Sequence, residues 1–192
     1  MWSIGAGGEK NMRFGWRVRA ITLLLSSYVF CVSAFAVPTS SECQMPLDLA
    51  QVISQKFSGT RVLRLADLDP DSKSLFLKDH GRTCPGLVSV DFYGDRQPTF
   101  GLLLIAENRN QRQEAKLIVA RKPTESWQVE VLDRYESSNP VIWSLGPGVY
   151  RDVYGKRTIR TKNPVIVVCE YESWAIIYGW NGKQISKVWI AD

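Results

Sequence analysis

Four stretches of the chain carry residue types that could do chemistry. Glu170-Tyr171-Glu172 places two carboxylates around one residue, just ahead of Trp174. Two carboxylates facing each other across a cleft can act as acid and base on a glycosidic bond. A turn between two apolar strands accounts for the pair equally well. Asp91 and Asp95 lie four residues apart in Asp91-Phe92-Tyr93-Gly94-Asp95-Arg96, a hairpin turn whose local backbone Asp95 can stabilise. His80 is the only imidazole of the chain, so any Ser-His-Asp or Cys-His scheme must use it. No G-x-S-x-G accompanies it. Its place at the end of a predicted helix suits a cation interacting with the helix dipole.

The fourth stretch, Gly146 to Arg157, is rich in glycine, tyrosine and charge. Tyrosine offers large contact area at small entropic cost, which suits a binding loop. Tyr150, Arg151, Tyr154 and Arg157 are the candidate binding residues, and Arg160 and Lys162 extend the basic run. That run favours an acidic partner or an anionic envelope component. An ordinary hairpin with a solvated basic edge is the plainer alternative, since such side chains also protect edge strands. No phosphate-loop pattern G-x-x-x-x-G-K-[ST] is present. The tryptophans Trp127, Trp143, Trp174, Trp180 and Trp189 each sit in or beside an apolar strand. They are expected in the core rather than along a carbohydrate groove.

Composition narrows the function classes. Lys10, Arg13, Arg17 and Arg19 precede the 17 uncharged residues Ala20 to Ala36, which close on Ala34-Phe35-Ala36. Basic, then apolar, then A-x-A is the pattern of a cleavable signal peptide. Residues 1–36 are therefore expected to be a signal, 37–45 a flexible leader and 46–192 one globular domain. Four basic residues and one acidic residue fall before Val37, leaving 20 Lys+Arg against 18 Asp+Glu in the expected mature chain. That near-neutral balance removes most of the case for nucleic-acid binding, which wants a concentrated basic face. No later apolar stretch is long enough to span a membrane. The expected location is periplasmic or secreted.

Export changes the reading of the cysteines, because disulfides persist in such compartments. Cys43 and Cys84 both lie in polar, turn-prone sequence, while Cys169 ends the apolar run Val165 to Val168. A Cys43–Cys84 bridge with a free Cys169 is the expectation, and three unpaired thiols the alternative, since spacing alone does not assign connectivity. The spacing matches no zinc site. No metal and no cofactor is expected.

The elements that must position these residues follow from periodicity. Leu49, Val52, Ile53 and Phe57 share one face of a helix that begins near Pro46 and stops at Gly59. Asp69-Pro70 reads as the cap and first residue of a second, short helix to about Lys78. From Leu87 onward strands and turns alternate about every ten residues. The strand from Trp127 is expected to end at Val131, with Trp127, Val129 and Val131 facing inward. Asn181-Gly182 is expected to form a two-residue hairpin turn. The fold class is α+β: an N-terminal amphipathic helix and a short second helix packed with a curved antiparallel meander of about seven to eight strands.

Pro85 to Glu107, PGLVSVDFYGDRQPTFGLLLIAE, resembles the strand–loop–strand unit of FG-GAP and VCBS-like repeats. Tyr171 to Asp192, YESWAIIYGWNGKQISKVWIAD, is similar to the endings of small exported bacterial proteins of uncharacterised function. The resemblance covers about the last two thirds of the chain and rests on turn and strand motifs. In the repeat family a D-x-D-x-D-G loop binds calcium, which implies a calcium-stabilised module. Here only Asp91 and Asp95 match, and Phe92, Tyr93 and Arg96 occupy the remaining places. Calcium takes six to eight oxygens. The three readings are a non-enzymatic exported domain that binds another exported protein or an envelope component, an envelope hydrolase built on a carboxylate pair, and a calcium-stabilised structural module.

Overall fold

The computed structural model describes residues 42–106, 114–137 and 139–191. The expected signal peptide and the leader up to Ser41 lie outside the described residues. The described residues all fall within one compact unit, Pro38–Asp192.

The chain is β-rich, with two helices and eleven strands among the described residues, every pairing antiparallel. Helix α1 (Leu47–Lys56) turns Leu49 and Ile53 inward. Helix α2 (Pro70–His80) is capped by Asp69, whose carboxylate accepts from the backbone N–H groups of Asp71 and Ser72. One sheet holds β1 (Thr60–Val62), β2 (Leu87–Val90), β3 (Thr99–Ala106), β4 (Ala115–Arg121) and β5 (Gln128–Tyr135). Strands β1 and β2 both pair with β3, and β4 and β5 follow on its other side. A second sheet runs β11 (Ile185–Ala191), β10 (Trp174–Trp180), β9 (Val165–Glu170) and β6 (Val141–Leu145). A hairpin of β7 (Gly148–Arg151) and β8 (Thr158–Thr161) stands as its own two-stranded sheet. The expected seven to eight strands are thus eleven in three sheets, because short segments between turns pair as strands too.

Three apolar clusters order these parts into layers. Leu103, Ile105, Leu117 and Val119 of the first sheet meet Ile142, Ile166, Val168 and Ile176 of the second. The other face of the first sheet, with Phe100, Leu102, Leu104 and Ile118, packs under Leu49 and Ile53 of α1. The other face of the second sheet, with Val165, Val167, Ile177 and Val188, packs under Ile159 of β8. Both sheets are therefore covered twice. This is why β3 and β9 read as unbroken apolar runs rather than alternating ones, a pattern expected of strands buried on both faces.

The two sheets join along one side and part along the other. Ile142 N–H donates to Pro85 O at 2.8 Å, which ties β6 to the run-in of β2. There the Leu63 N–H donates to Leu103 O and the Leu103 N–H to Gly86 O. A Cβ on Gly86 would lie 2.3 Å from Leu63 O, so only glycine lets the two segments converge on β3. Cys43 and Cys84 form a disulfide beside this point, with Cα atoms 5.0 Å apart. The bridge fixes Cys43, within the segment expected as a leader, to the turn before β2.

On the far side, β5 and β11 are the outer strands of their sheets. Side chains span this seam. Tyr135 and Tyr178 hydroxyls meet at 2.7 Å, Tyr178 donates to Asp133 at 2.6 Å, and Lys187 donates to the same carboxylate oxygen at 2.6 Å. Since Tyr178 gives its proton to Asp133, Tyr135 is the donor of the pair.

A bulge in β5 makes this possible. The pairing steps from Leu117↔Asp133 to Ile118↔Val131, leaving Leu132 as an extra residue. Val129 and Val131 lie on the α1 side before the bulge, and Asp133 and Tyr135 lie between the sheets after it. One inserted residue reverses which face the alternate side chains take. The strand thus runs four residues beyond the expected end at Val131.

Candidate functional site

The β7–β8 hairpin presents the strongest concentration of solvent-facing apolar and cationic groups. Its register, Val149↔Arg160, Tyr150↔Ile159 and Arg151↔Thr158, sorts its side chains into two faces. Tyr150 and Ile159 face the second sheet. Ile159 settles against Gly179 of β10, where an added Cβ would come within 2.9 Å of its Cγ2. Val149, Arg151, Thr158 and Arg160 face outward and are exposed.

The tip is built by Asp152. Its backbone N–H donates to Arg157 O, its own carbonyl accepts from Gly155 N–H, and its carboxylate accepts from Tyr154 N–H at 2.8 Å. Gly155 has φ 69°, the left-handed region that glycine enters without steric cost. Val153 N–H donates to Trp189 O at 2.8 Å, which pins the tip to β11. The one acid of the hairpin is therefore buried within its own turn.

What remains outside is one-sided in charge. Arg151, Lys156, Arg157, Arg160 and Lys162 are all exposed. Among them stand Val149 at 51 %, Val153 at 48 % and Tyr154 at 56 % exposure, with Leu145 at 39 % at the end of β6. These four are among the five large apolar residues that are exposed among the described residues, and Leu47 is the other. Of the residues singled out from sequence, Arg151, Tyr154 and Arg157 share this outer surface. Tyr150 does not: it packs against the sheet and donates its hydroxyl proton to Gly146 O. Burial pushes its phenol pKa up.

The other sequence candidates have structural duties. Glu170 accepts from Ser137 Oγ at 2.6 Å and from Trp174 Nε1 at 2.8 Å, one bond on each carboxylate oxygen. Glu172 sits exposed in the turn before β10 with φ 61°. Glu170 therefore ties the Ser137 hydroxyl and the Trp174 indole together across the end of β9. Asp91 accepts from Arg96 N–H and Asp95 from Gln97 N–H, so both carboxylates brace the turn they belong to. Cys169 is free and its thiol is pushed up to about 11 by burial and by the neighbouring Glu170 charge.

His80 corrects an expectation. It does end α2, but its ring lies between Phe76, at 5.0 Å, and Trp143, at 4.7 Å. Burial there lowers its pKa below the ordinary 6.5, and the Asp79 charge opposes only part of that. Aromatic packing of the neutral ring outweighs the dipole's preference for a cation. Because the chain has a single histidine, its proton resonances are unambiguous. An NMR titration should place the midpoint below 6.5, and a midpoint above it would contradict the packing.

The Asn181-Gly182 expectation is also corrected. Trp180 pairs with Ile185, so the loop has four residues, 181–184. Asn181 Oδ1 accepts from the N–H groups of both Lys183 and Gln184, a closure that the short side chain makes available. Asp133, Tyr135, Tyr178 and Lys187 were missed as a group. Their signal, a carboxylate and a tyrosine two apart at the end of an apolar strand, is too common to single out.

Among the described residues, no group of three or more His, Cys, Asp and Glu side chains is placed to hold a metal ion. Comparison with known proteins finds no matching family model, no matching curated protein and no matching solved structure.

Proposed function

We propose that this chain is an exported, non-enzymatic domain that docks on the anionic lipid surface of the cell envelope through the outer face of the β7–β8 hairpin. One observation carries the reading. Four exposed cations, with Lys162 just beyond as a fifth, and three of the exposed apolar side chains occupy one hairpin whose only acid is turned inward. The near-neutral charge of residues 37–192, 20 Lys+Arg against 18 Asp+Glu, conceals this local concentration. Each basic residue close to an anionic membrane contributes about 1 kcal/mol of attraction. Val149, Val153 and Tyr154 add contact with the acyl boundary, as interfacial segments do. Short aliphatic side chains interleaved with cations suit a soft lipid surface better than a rigid acidic protein. Export by residues 1–36 delivers the domain to that compartment, and the Cys43–Cys84 bridge is compatible with its oxidising conditions.

Cosedimentation with vesicles tests the proposal. Vesicles containing phosphatidylglycerol should retain the protein at low salt and release it as salt rises, because surface charges are screened within a Debye length. Vesicles of phosphatidylcholine alone should not retain it. The double variant Arg151→Glu/Arg160→Glu should weaken retention at least about tenfold, consistent with reversing two charges near the surface. Equal retention on both vesicles, or none on either, overturns the lipid assignment. So does retention that the double variant leaves unchanged.

A further inference from the structure

A second feature is independent of the hairpin. The seam between β5 and β11 widens into a cleft of about 610 Å³. That is within the range of pockets that hold small ligands.

Its walls combine three kinds of group. Tyr93 and Trp180 form an aromatic corner, with ring centroids 5.0 Å apart and planes at 66°. Arg121 lies with its guanidinium 4.2 Å from the Tyr93 ring centroid, and its Nε donates to Gln128 Oε1 at 3.2 Å. Its two terminal nitrogens make no hydrogen bond among the described residues. Glu130, Gln184 and Ser186 supply acceptors and donors along the cleft. Lys187 also lines it, but its charge is engaged by Asp133.

Each class of group narrows the occupant. The ring surfaces accept a flat C–H face, because aromatic side chains present a large apolar body. The open fork of Arg121 matches a carboxylate, which guanidinium binds through two parallel N–H bonds. Glu130 would repel a second anionic group near it but accepts from hydroxyls. A purely apolar ligand would leave Arg121 and Glu130 desolvated without partners, at considerable cost. A ligand with one carboxylate, several hydroxyls and an apolar ring face satisfies all of them. The clamp is also prearranged, since stacking on Tyr93 and the bond to Gln128 hold the guanidinium before any ligand arrives.

The geometry points to the β5–β11 cleft as a binding site for an acidic saccharide, its sugar ring against Tyr93 and Trp180 and its carboxylate on Arg121. Of the five tryptophans beyond residue 37, Trp180 is the one that lines this cleft. The site does not depend on the hairpin.

Amide-shift mapping of the full chain with two probes that differ only in the carboxylate tests this: methyl galacturonoside and methyl galactoside. The galacturonoside should shift amides of Tyr93, Arg121, Trp180 and residues 184–187, and bind at least about fivefold more tightly than the galactoside. Arg121→Gln should abolish that preference. Gln184→Ala, at an exposed loop position, should weaken binding of both without disturbing the fold. Absence of binding by either probe, shifts located elsewhere, or equal affinity for the two overturns the assignment.

Discussion

Replacing Cys43 and Cys84 together with alanine is expected to lower the unfolding free energy by about 4 kcal/mol, the chain-entropy value for a loop of this length. The two cysteines are 41 residues apart, and the closed loop contains α1, β1 and α2. Without the bridge, the segment before α1 loses its covalent tie to the turn before β2. Helix α1 would then rest on its apolar face and on two cationic ties: Lys56 to Val129 O at 2.7 Å and Lys122 to Asp48 at 2.8 Å. Urea unfolding should show the midpoint falling by about 2 M, taking a slope near 2 kcal/mol/M. Complete reduction of the wild type by excess strong dithiol should give the same shift, since the poorly ionised Cys169 thiol is a weak partner for exchange. A change below about 1 kcal/mol would mean that the bridge adds little to a loop already closed in the unfolded chain.

Replacing Asp133 with alanine should cost about 3 kcal/mol, through one orphaned buried hydroxyl and one lost charged acceptor. The Tyr135 and Tyr178 side chains are 7 % and 2 % exposed, so neither hydroxyl can turn to bulk water. Burial raises the Asp133 pKa, but hydrogen bonds from Lys187, Tyr178 and the Arg134 N–H together outweigh it, and the net value lies below the ordinary 3.8. A carboxyl whose folded pKa is depressed stabilises the fold above its unfolded pKa. That stabilisation is lost as pH falls through the folded value. The stability gap between wild type and Asp133→Asn should therefore be full near neutrality and shrink below about pH 4. A gap independent of pH would show that the carboxylate's charge is not what closes the seam. Both tyrosines have their phenol pKa values driven upward, first by burial, so they stay protonated donors throughout this range.

Much of the chain was legible because local chemistry and burial agreed. Asp69-Pro70 marked α2 by a cap and a preset φ, and the helix begins at Pro70. Two polar turns and one apolar run favoured a Cys43–Cys84 pair but left three unpaired thiols open, and the structure brings Cys43 and Cys84 together. What stayed hidden depends on contacts distant in sequence. The extra residue at Leu132 is invisible in an apolar pattern, yet it turns Asp133 and Tyr135 inward and creates the seam. Strand β7 did not announce itself, because Gly148-Val149-Tyr150-Arg151 reads as loop until Ile159 anchors its partner on Gly179. For the candidate site, the basic and aromatic composition of residues 150–157 was readable. Its sidedness was not: only the β7–β8 register separates inward Tyr150 from outward Arg151.

The most direct test of envelope docking is residue-resolved line broadening when phosphatidylglycerol-containing vesicles are added to the isotopically labelled chain. The account predicts that amides of residues 149–162 broaden first, while those of α1 and the seam remain sharp. Broadening centred on α1 or the seam, or none at all, would contradict it.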